Sequence, residues 1–310
     1  MTAPAAQGGF EAFARDWAAP VERAIAALLP PVTAPPARLH EAMHYALFPG
    51  GKRLRPMLVL LGCRAAGGDP AKVLPAAAAL ECLHTYSLVH DDLPCMDDDD
   101  LRRGRPTCHK QFDEATALLA GDALLTVAFE AVASAGAAAV KELARAAGSL
   151  GMVGGQVEDL AAEGDVAGHT LDRVRWIHDH KTGALITASL MVGAHAAGGP
   201  AVMFEPLREY GDCLGRAFQI ADDCLDLTGT AAELGKNPLA DVALGKLTWP
   251  AMVGLEASQR TARELAQRAA GLATTVATVV AAAASVPRST LDAAAALLQD
   301  VALYAVERRR

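Results

Sequence analysis

Apolar residues return along this chain at helical spacing. Phe10, Phe13, Trp17, Val21 and Ile25 form the first stripe and predict a helical arm over residues 10–29. Pro20 lies inside it and is expected to kink the arm or split it in two, while Pro30, Pro31, Pro35 and Pro36 end it. Leu39 to Phe48 predicts a second helix. Residues 74–93 are apolar almost all round, the pattern of a buried helix, and Pro94 is expected to break it. Two further apolar stretches occupy 115–147, with Gly121-Asp122 and Gly136 as interruptions. Met152-Val153-Gly154-Gly155-Gln156 reads as a close-packing helix start, in which Gln156 and Asp159 are placed to steady other site groups. Thr170 N-caps a helix that is charged early and apolar later. Ala269 to Pro287 carries no charge and approaches the length of a membrane span. Its alanines and threonines contribute little to insertion, and Gly271 interrupts it, so a packed core helix with no stable membrane insertion is expected. Thr290 opens a last helix whose final cations suit a helix C-terminus. No period-two run is sustained. The predicted fold class is all-α: one domain over residues 1–310, with 1–38 as an N-terminal helical arm.

Composition narrows this picture. Hydrophobic residues make up 52% of 310 and aromatics only 5%, so alanine and leucine must fill the core, which favours closely packed helices. The net charge of −8 leaves no basic field for a nucleic-acid backbone. An anionic ligand must therefore be met by local Lys and Arg clusters. The six cysteines are scattered without a C-x-x-C pair, and Met1 to Gly9 is uncharged and not Leu-rich. Reduced thiols and a cytoplasmic protein are the expectation.

The chemistry concentrates in two acidic clusters. His90-Asp91-Asp92-Leu93-Pro94-Cys95-Met96-Asp97-Asp98-Asp99-Asp100 places six aspartates within ten residues, at the end of an apolar run. Such carboxylates raise one another's pKa unless cations neutralise them, and hard oxygen donors suit Mg²⁺ or Ca²⁺. Arg102 and Arg103 follow at once. A solvated acidic turn or a structural calcium loop is the plain alternative, although the spacing is not that of an EF-hand. The second cluster, Asp222-Asp223-Cys224-Leu225-Asp226, sets Asp222 and Asp226 one helical turn apart, with Gln219 a turn earlier. Lys52-Arg53-Leu54-Arg55-Pro56 adds three cations at a helix start, either an ordinary basic turn or an anion site. Glu81, His84 and Asp91 share a stripe of the central helix, and Lys181 sits mid-helix, where burial is unfavourable unless it meets an anion.

The two motifs, DDLPCMD and DDCLD, resemble the aspartate-rich pair of the trans-prenyltransferases, and the chain from about Leu39 to Pro250 is similar to the bacterial farnesyl diphosphate synthases. The resemblance implies an isoprenoid-synthase bundle around a central cavity with the clusters facing at its mouth, and a homodimer. It implies Mg²⁺, three ions with substrate bound, with Asp91, Asp97 and Asp222 as metal ligands. Asp92, Asp223, Asp226 and Lys181 complete the implied catalytic set. Gly51, Lys52, Arg55, His84 and Arg103 would hold isopentenyl diphosphate. Arg102, Thr182, Gln219, Lys236 and Lys246 would serve the allylic diphosphate. Leu239 and Trp249 depart from the family's usual Gly and Tyr.

The resemblance further implies a farnesyl product, with chain length limited by Tyr86. This residue precedes Asp91 by five, roughly 7–8 Å deeper along a helix. Ideal geometry places Ser87 more nearly beneath Asp91, so the tyrosine must reach in from the flank. Geranyl or geranylgeranyl diphosphate is the alternative product. Rival readings are a class I terpene cyclase, which would lack the second motif, and a non-catalytic partner subunit of a hetero-oligomeric synthase, which typically loses one. A structural calcium protein would leave the basic segments unexplained.

Overall fold

The computed structural model describes residues 9–48, 51–228 and 246–307. The expectation of an all-α domain is met. Helices α1 (Gly9–Leu28), α2 (Ala37–Leu47) and α3 (Leu54–Ala65) lead to the central α4 (Leu74–Asp91). A small hairpin follows, β1 (Leu101–Arg102) pairing antiparallel with β2 (Arg105–Pro106). Next come α5 (Cys108–Gln111), α6 (Glu114–Val132), α7 (Ala137–Ala147), α8 (Met152–Ala162) and α9 (Leu171–Ile177). A π-helical turn, His178–Gly183, joins α9 to α10 (Ala184–Ala196), and α11 (Phe204–Thr228) carries the second acidic cluster. Helices α12 (Trp249–Val253), α13 (Leu255–Ala283) and α14 (Arg288–Glu307) complete the described chain.

Helix α4 is buried on nearly every side. It packs on α1, α3 and α6, and nine of its alanine, leucine, cysteine, valine and tyrosine side chains lie in the core. Small residues let neighbours approach closely. A Cβ on Gly62 of α3 would lie 2.0 Å from the Leu190 carbonyl oxygen of α10, and one on Gly193 would lie 1.9 Å from that of Val59. The two glycines thus set the α3–α10 crossing from both sides.

The split expected at Pro20 and the break expected at Gly121 are corrected, while the packed core helix expected for the uncharged stretch is met. Pro20 neither splits nor ends α1, which runs unbroken from Gly9 to Leu28 and buries Phe10, Phe13, Val21 and Ile25. Proline removes a single N–H, and that burial along the rest of the helix outweighs it. Gly121 does not interrupt α6; a Cβ there would meet His90 Nε2 at 2.1 Å, so it permits the α4–α6 contact. The uncharged stretch is the second half of α13. Both α6 and α13 have the length and composition of a membrane span, but α13 buries Ala269, Ala273, Val276 and Val280 in the core and packs on α11 and α14.

Arg53 ties the N-terminal third together. Its guanidinium is buried and donates to Glu81 at 2.6 Å, to Glu22 at 2.7 Å and to the Leu47 carbonyl at 2.8 Å. These partners lie on α4, α1 and α2. Removing one member of a buried pair leaves the other charge uncompensated, which costs about 3–5 kcal/mol. Arg53→Ala is expected to lose that much stability in urea unfolding, and Arg53→Lys to recover only part. A lysine keeps the charge but cannot reach all three acceptors.

Candidate active site

Helix α4 ends at Asp91, and Pro94 enforces the stop because the residues before it avoid helical geometry. The chain then folds back: the Asp97 N–H donates to the Asp91 carbonyl at 2.8 Å and the Met96 N–H to that of Leu93 at 2.8 Å. This return brings Asp97 beside Asp91, as the break required. Burial pushes the Asp91 carboxyl up to about 6; Lys181 and Arg102 oppose the rise, and Asp97 and Asp92 add to it.

Asp92 turns the other way. It is buried and receives Arg102 Nε at 2.7 and 2.9 Å on its two oxygens. The pair fastens the hairpin to the end of α4, so Arg102 is already engaged by a carboxylate. Asp98, Asp99 and Asp100 are exposed.

The basic segments converge on the same end of α4. A Cβ on Gly51 would lie 2.6 Å from Arg103 Nη1, so the glycine leaves room for that guanidinium. Arg103 itself adopts a left-handed φ of +54°. Arg55 has a buried Nε with no hydrogen-bond partner, and burial draws its pKa down to about 10, with Arg103 lowering it further while Glu81 and Asp222 oppose. His84 is held well below the ordinary imidazole range, by burial first and then by Arg55, Arg103, Arg102 and Arg53. Lys52 is exposed. Gly51, Arg55, His84 and Arg103 therefore form one cationic hollow.

A third group comes from the π-helical turn. Lys181 Nζ meets Asp159 at 2.6 Å, and Thr182 Oγ1 donates to Gln219 Oε1 at 2.7 Å. Gln219 Nε2 then donates to Asp223 at 3.1 Å. Asp223 is buried and also accepts from the Trp249 N–H at 2.8 Å, with His178 Nε2 at 3.2 Å. Asp222 lies within electrostatic reach of Arg55, one turn from Asp226. Lys246 reaches toward the first cluster, 3.9 Å from Asp97 and 3.6 Å from Glu163. Lys236 and Leu239 lie outside the described residues.

Between these groups opens a cavity of about 450 Å³. Arg55, His84, Asp91, Lys181 and Thr182 line its polar end, and Tyr86, Ser87, Leu118, Met152 and Leu160 its apolar walls. Tyr86 is 6% exposed and stands edge-on to His90, ring centres 5.7 Å apart, while Ser87 donates to the His84 carbonyl. Among the described residues no three His, Cys, Asp or Glu side chains converge to hold an ion by themselves. Asp91, Asp97 and Asp222 are hard oxygen donors, a set suited to Mg²⁺ when a ligand's oxygens complete the shell. Glu163 and His178 were missed in the sequence because their partners, Lys246 and Asp223, are remote along the chain.

Residues 36–286 match the family model of polyprenyl synthetase. Among curated proteins, the heterodimeric geranylgeranyl pyrophosphate synthase large subunit 1, chloroplastic, of Arabidopsis thaliana is 48% identical over 245 residues, 76% of this chain and 66% of that one. The Arabidopsis geranylgeranyl pyrophosphate synthase 11, chloroplastic, is 49% identical over 247 residues, 76% of this chain and 69% of that one. The chain thus spans about two thirds of the length of these plant relatives. Among solved structures, an FPP/GFPP synthase from Zymomonas mobilis superposes with a TM-score of 0.77 at 36% identity, covering 93% of this chain and 97% of that one. A geranyltransferase from Helicobacter pylori, complexed with magnesium and isoprenyl diphosphate, gives 0.77 at 31% identity, covering 94% and 95%. The expected cytoplasmic placement is corrected by these relatives, since the plant proteins are named as chloroplastic.

Proposed function

The chain belongs to the polyprenyl synthetase family, which makes it a prenyltransferase by family, and we propose that it condenses isopentenyl diphosphate with dimethylallyl and then geranyl diphosphate to give farnesyl diphosphate. The observation that carries this reading is the cavity with two differently charged approaches at one end. A cationic hollow of Arg55, His84 and Arg103 lies on one side, and Asp91, Asp97 and Lys181 lie on the other. One diphosphate suits each, with the apolar chain descending between Met152 and Leu118.

Arg55, Lys52, His84 and Arg103 would bind isopentenyl diphosphate. Neutral His84 donates a hydrogen bond there without adding to the arginines' mutual repulsion. Asp91, Asp97 and Asp222 would hold Mg²⁺, which when bound supplies Lewis-acid polarisation of the allylic diphosphate oxygens. Lys181 and Lys246 would take the charge that develops on the leaving oxygen. The carbon–oxygen bond breaks with its electron pair on the diphosphate, and the isopentenyl double bond attacks the allylic cation. A proton then passes to the released diphosphate. Asp92 and Asp223 serve by fixing Arg102, Gln219 and the Trp249 segment rather than by meeting substrate.

Tyr86 supports the farnesyl product: a buried ring at the cavity wall, braced by His90, shortens the space below the reacting end. Burial pushes its hydroxyl up to about 12, so it stays neutral. A geranylgeranyl product is the second reading, favoured by the names of the plant relatives.

Three tests follow from this assignment. Chelation of divalent cations is expected to abolish turnover while the helical circular dichroism persists; full activity in excess chelator sinks the metal assignment. Asp222→Ala should lower kcat strongly, whereas Lys52→Ala should mainly raise the KM for isopentenyl diphosphate. The same kinetic signature from both would merge the two sites. Tyr86→Ala should move the product from C15 to C20 or longer, read by chromatography of the dephosphorylated alcohols. An unchanged C15 product from that active variant removes Tyr86 as the stop, and a wild-type C20 product selects the second reading.

A further inference from the structure

Along the cavity face of α8, Met152, Gln156 and Leu160 follow one another at successive turns. A polar side chain in the middle of an apolar stripe requires a partner. Gln156 is 9% exposed, and both its Oε1 and its Nε2 are buried without any hydrogen-bond partner. Leaving such an amide unsatisfied is unfavourable, because its desolvation is uncompensated. A core position would have been served better by methionine or leucine, so the group points to something the cavity receives.

Its height in the cavity says what that is. Asp159, three residues further along α8, holds Lys181 at the polar end where the leaving diphosphate is assigned. Gln156 lies one turn away from that level, roughly 4.5 Å down the helix axis at 1.5 Å per residue. The backbones touch here as well: a Cβ on Gly155 would lie 2.2 Å from the Lys181 nitrogen, so α8 is pressed against the π-helical turn. The depth one turn below a diphosphate is that of the first isoprene unit, whose carbons become positive when the carbon–oxygen bond breaks.

We propose that Gln156 is a further catalytic residue, whose side-chain carbonyl oxygen faces the allylic cation and stabilises it as it forms. The inference rests on the prenyl-transfer reading above and adds a group to it. The amide is held in a low-dielectric wall, with its dipole fixed before the reaction begins. An interaction of this kind acts on charge that appears in the transition state and is nearly absent for the neutral ground-state chain. No bond to Gln156 forms or breaks: the electron pair of the cleaved bond leaves with the diphosphate, and the isopentenyl double bond quenches the cation.

The test compares wild type with Gln156→Met, which keeps length and volume and removes the dipole. kcat is expected to fall about tenfold to a hundredfold, with both KM values within about threefold of wild type. Two binding probes separate charge from shape. One is an allylic diphosphate analogue with a protonated nitrogen in place of the tertiary carbon; the other is the thiolodiphosphate of the same chain, which is uncharged at that carbon. The variant should lose tenfold or more in affinity for the ammonium probe and bind the thiolodiphosphate unchanged. Thermal unfolding of the free protein should not be lowered, since the substitution removes an unsatisfied group. Equal weakening of both probes, an unaltered kcat in an active enzyme, or a lowered Tm would each overturn the proposal; the last would make the amide structural. Wild-type protein inactive with every allylic diphosphate would sink the prenyl-transfer reading instead, and the contrast between the two probes would still decide the role of Gln156.

Discussion

Arg53 opens α3 with a φ of +50°, a left-handed conformation that a non-glycine residue adopts at a cost of about 1–3 kcal/mol. Its guanidinium reaches Glu22, Glu81 and the Leu47 carbonyl, and these contacts hold the strained turn in place. The consequence lies in its neighbours. With Arg53 directed into the core, Lys52 stays exposed and Arg55 enters the cavity wall. Three cations close in sequence are thereby divided into one that builds the fold and two that the proposed reading assigns to an anion. The exposed pairs elsewhere, such as Arg288 with Asp292, contribute about 0–1 kcal/mol each and decide nothing comparable.

The cavity end is built from charges that oppose one another. Arg55 is drawn down to about 10 and His84 well below its usual range, while Asp91 is pushed up to about 6. Burial leads in all three cases, and like-charged neighbours add to it. Two unit charges about 4 Å apart interact by roughly 4 kcal/mol at an effective dielectric of 20, so the repulsion is too large to be incidental. Ligands of opposite sign on each side relieve it: an anion in the arginine hollow, a cation beside the aspartates. The two diphosphates of the proposed reaction, one of them bringing its own metal, would meet one need each.

The helices were legible in the sequence because apolar spacing and capping are local. Thr170 does accept the Arg173 N–H, and the Pro94 break does bring Asp97 back to Asp91. The errors share a cause, which is that direction depends on partners far along the chain. Glu81 reads as a member of the site stripe with His84 and Asp91, yet its carboxylate faces Arg53. Arg102 reads as an anion binder, and its bond to Asp92 was not visible in the sequence. Gly121 reads as a helix break because its reason, the His90 ring, belongs to another helix. Gln156 was visible as a polar residue between apolar ones, but its lack of partners appears only when the cavity is seen.

Both acidic motifs begin with two adjacent aspartates, and helix geometry explains why two are useful. Successive residues diverge by 100°, so when one carboxylate looks into the cleft the next cannot. In the first motif Asp91 faces the cavity and Asp92 fastens Arg102 and the hairpin. In the second, Asp222 lies within reach of Arg55, and Asp223 gathers Gln219, His178 and the Trp249 N–H. The second aspartate of each pair therefore sets geometry that the first depends on. Trp249 follows Lys246 by three residues, and Lys246 lies 3.9 Å from Asp97. A carboxylate in the second motif thus helps to fix a lysine at the first, and the two clusters are mechanically joined before any ligand bridges them.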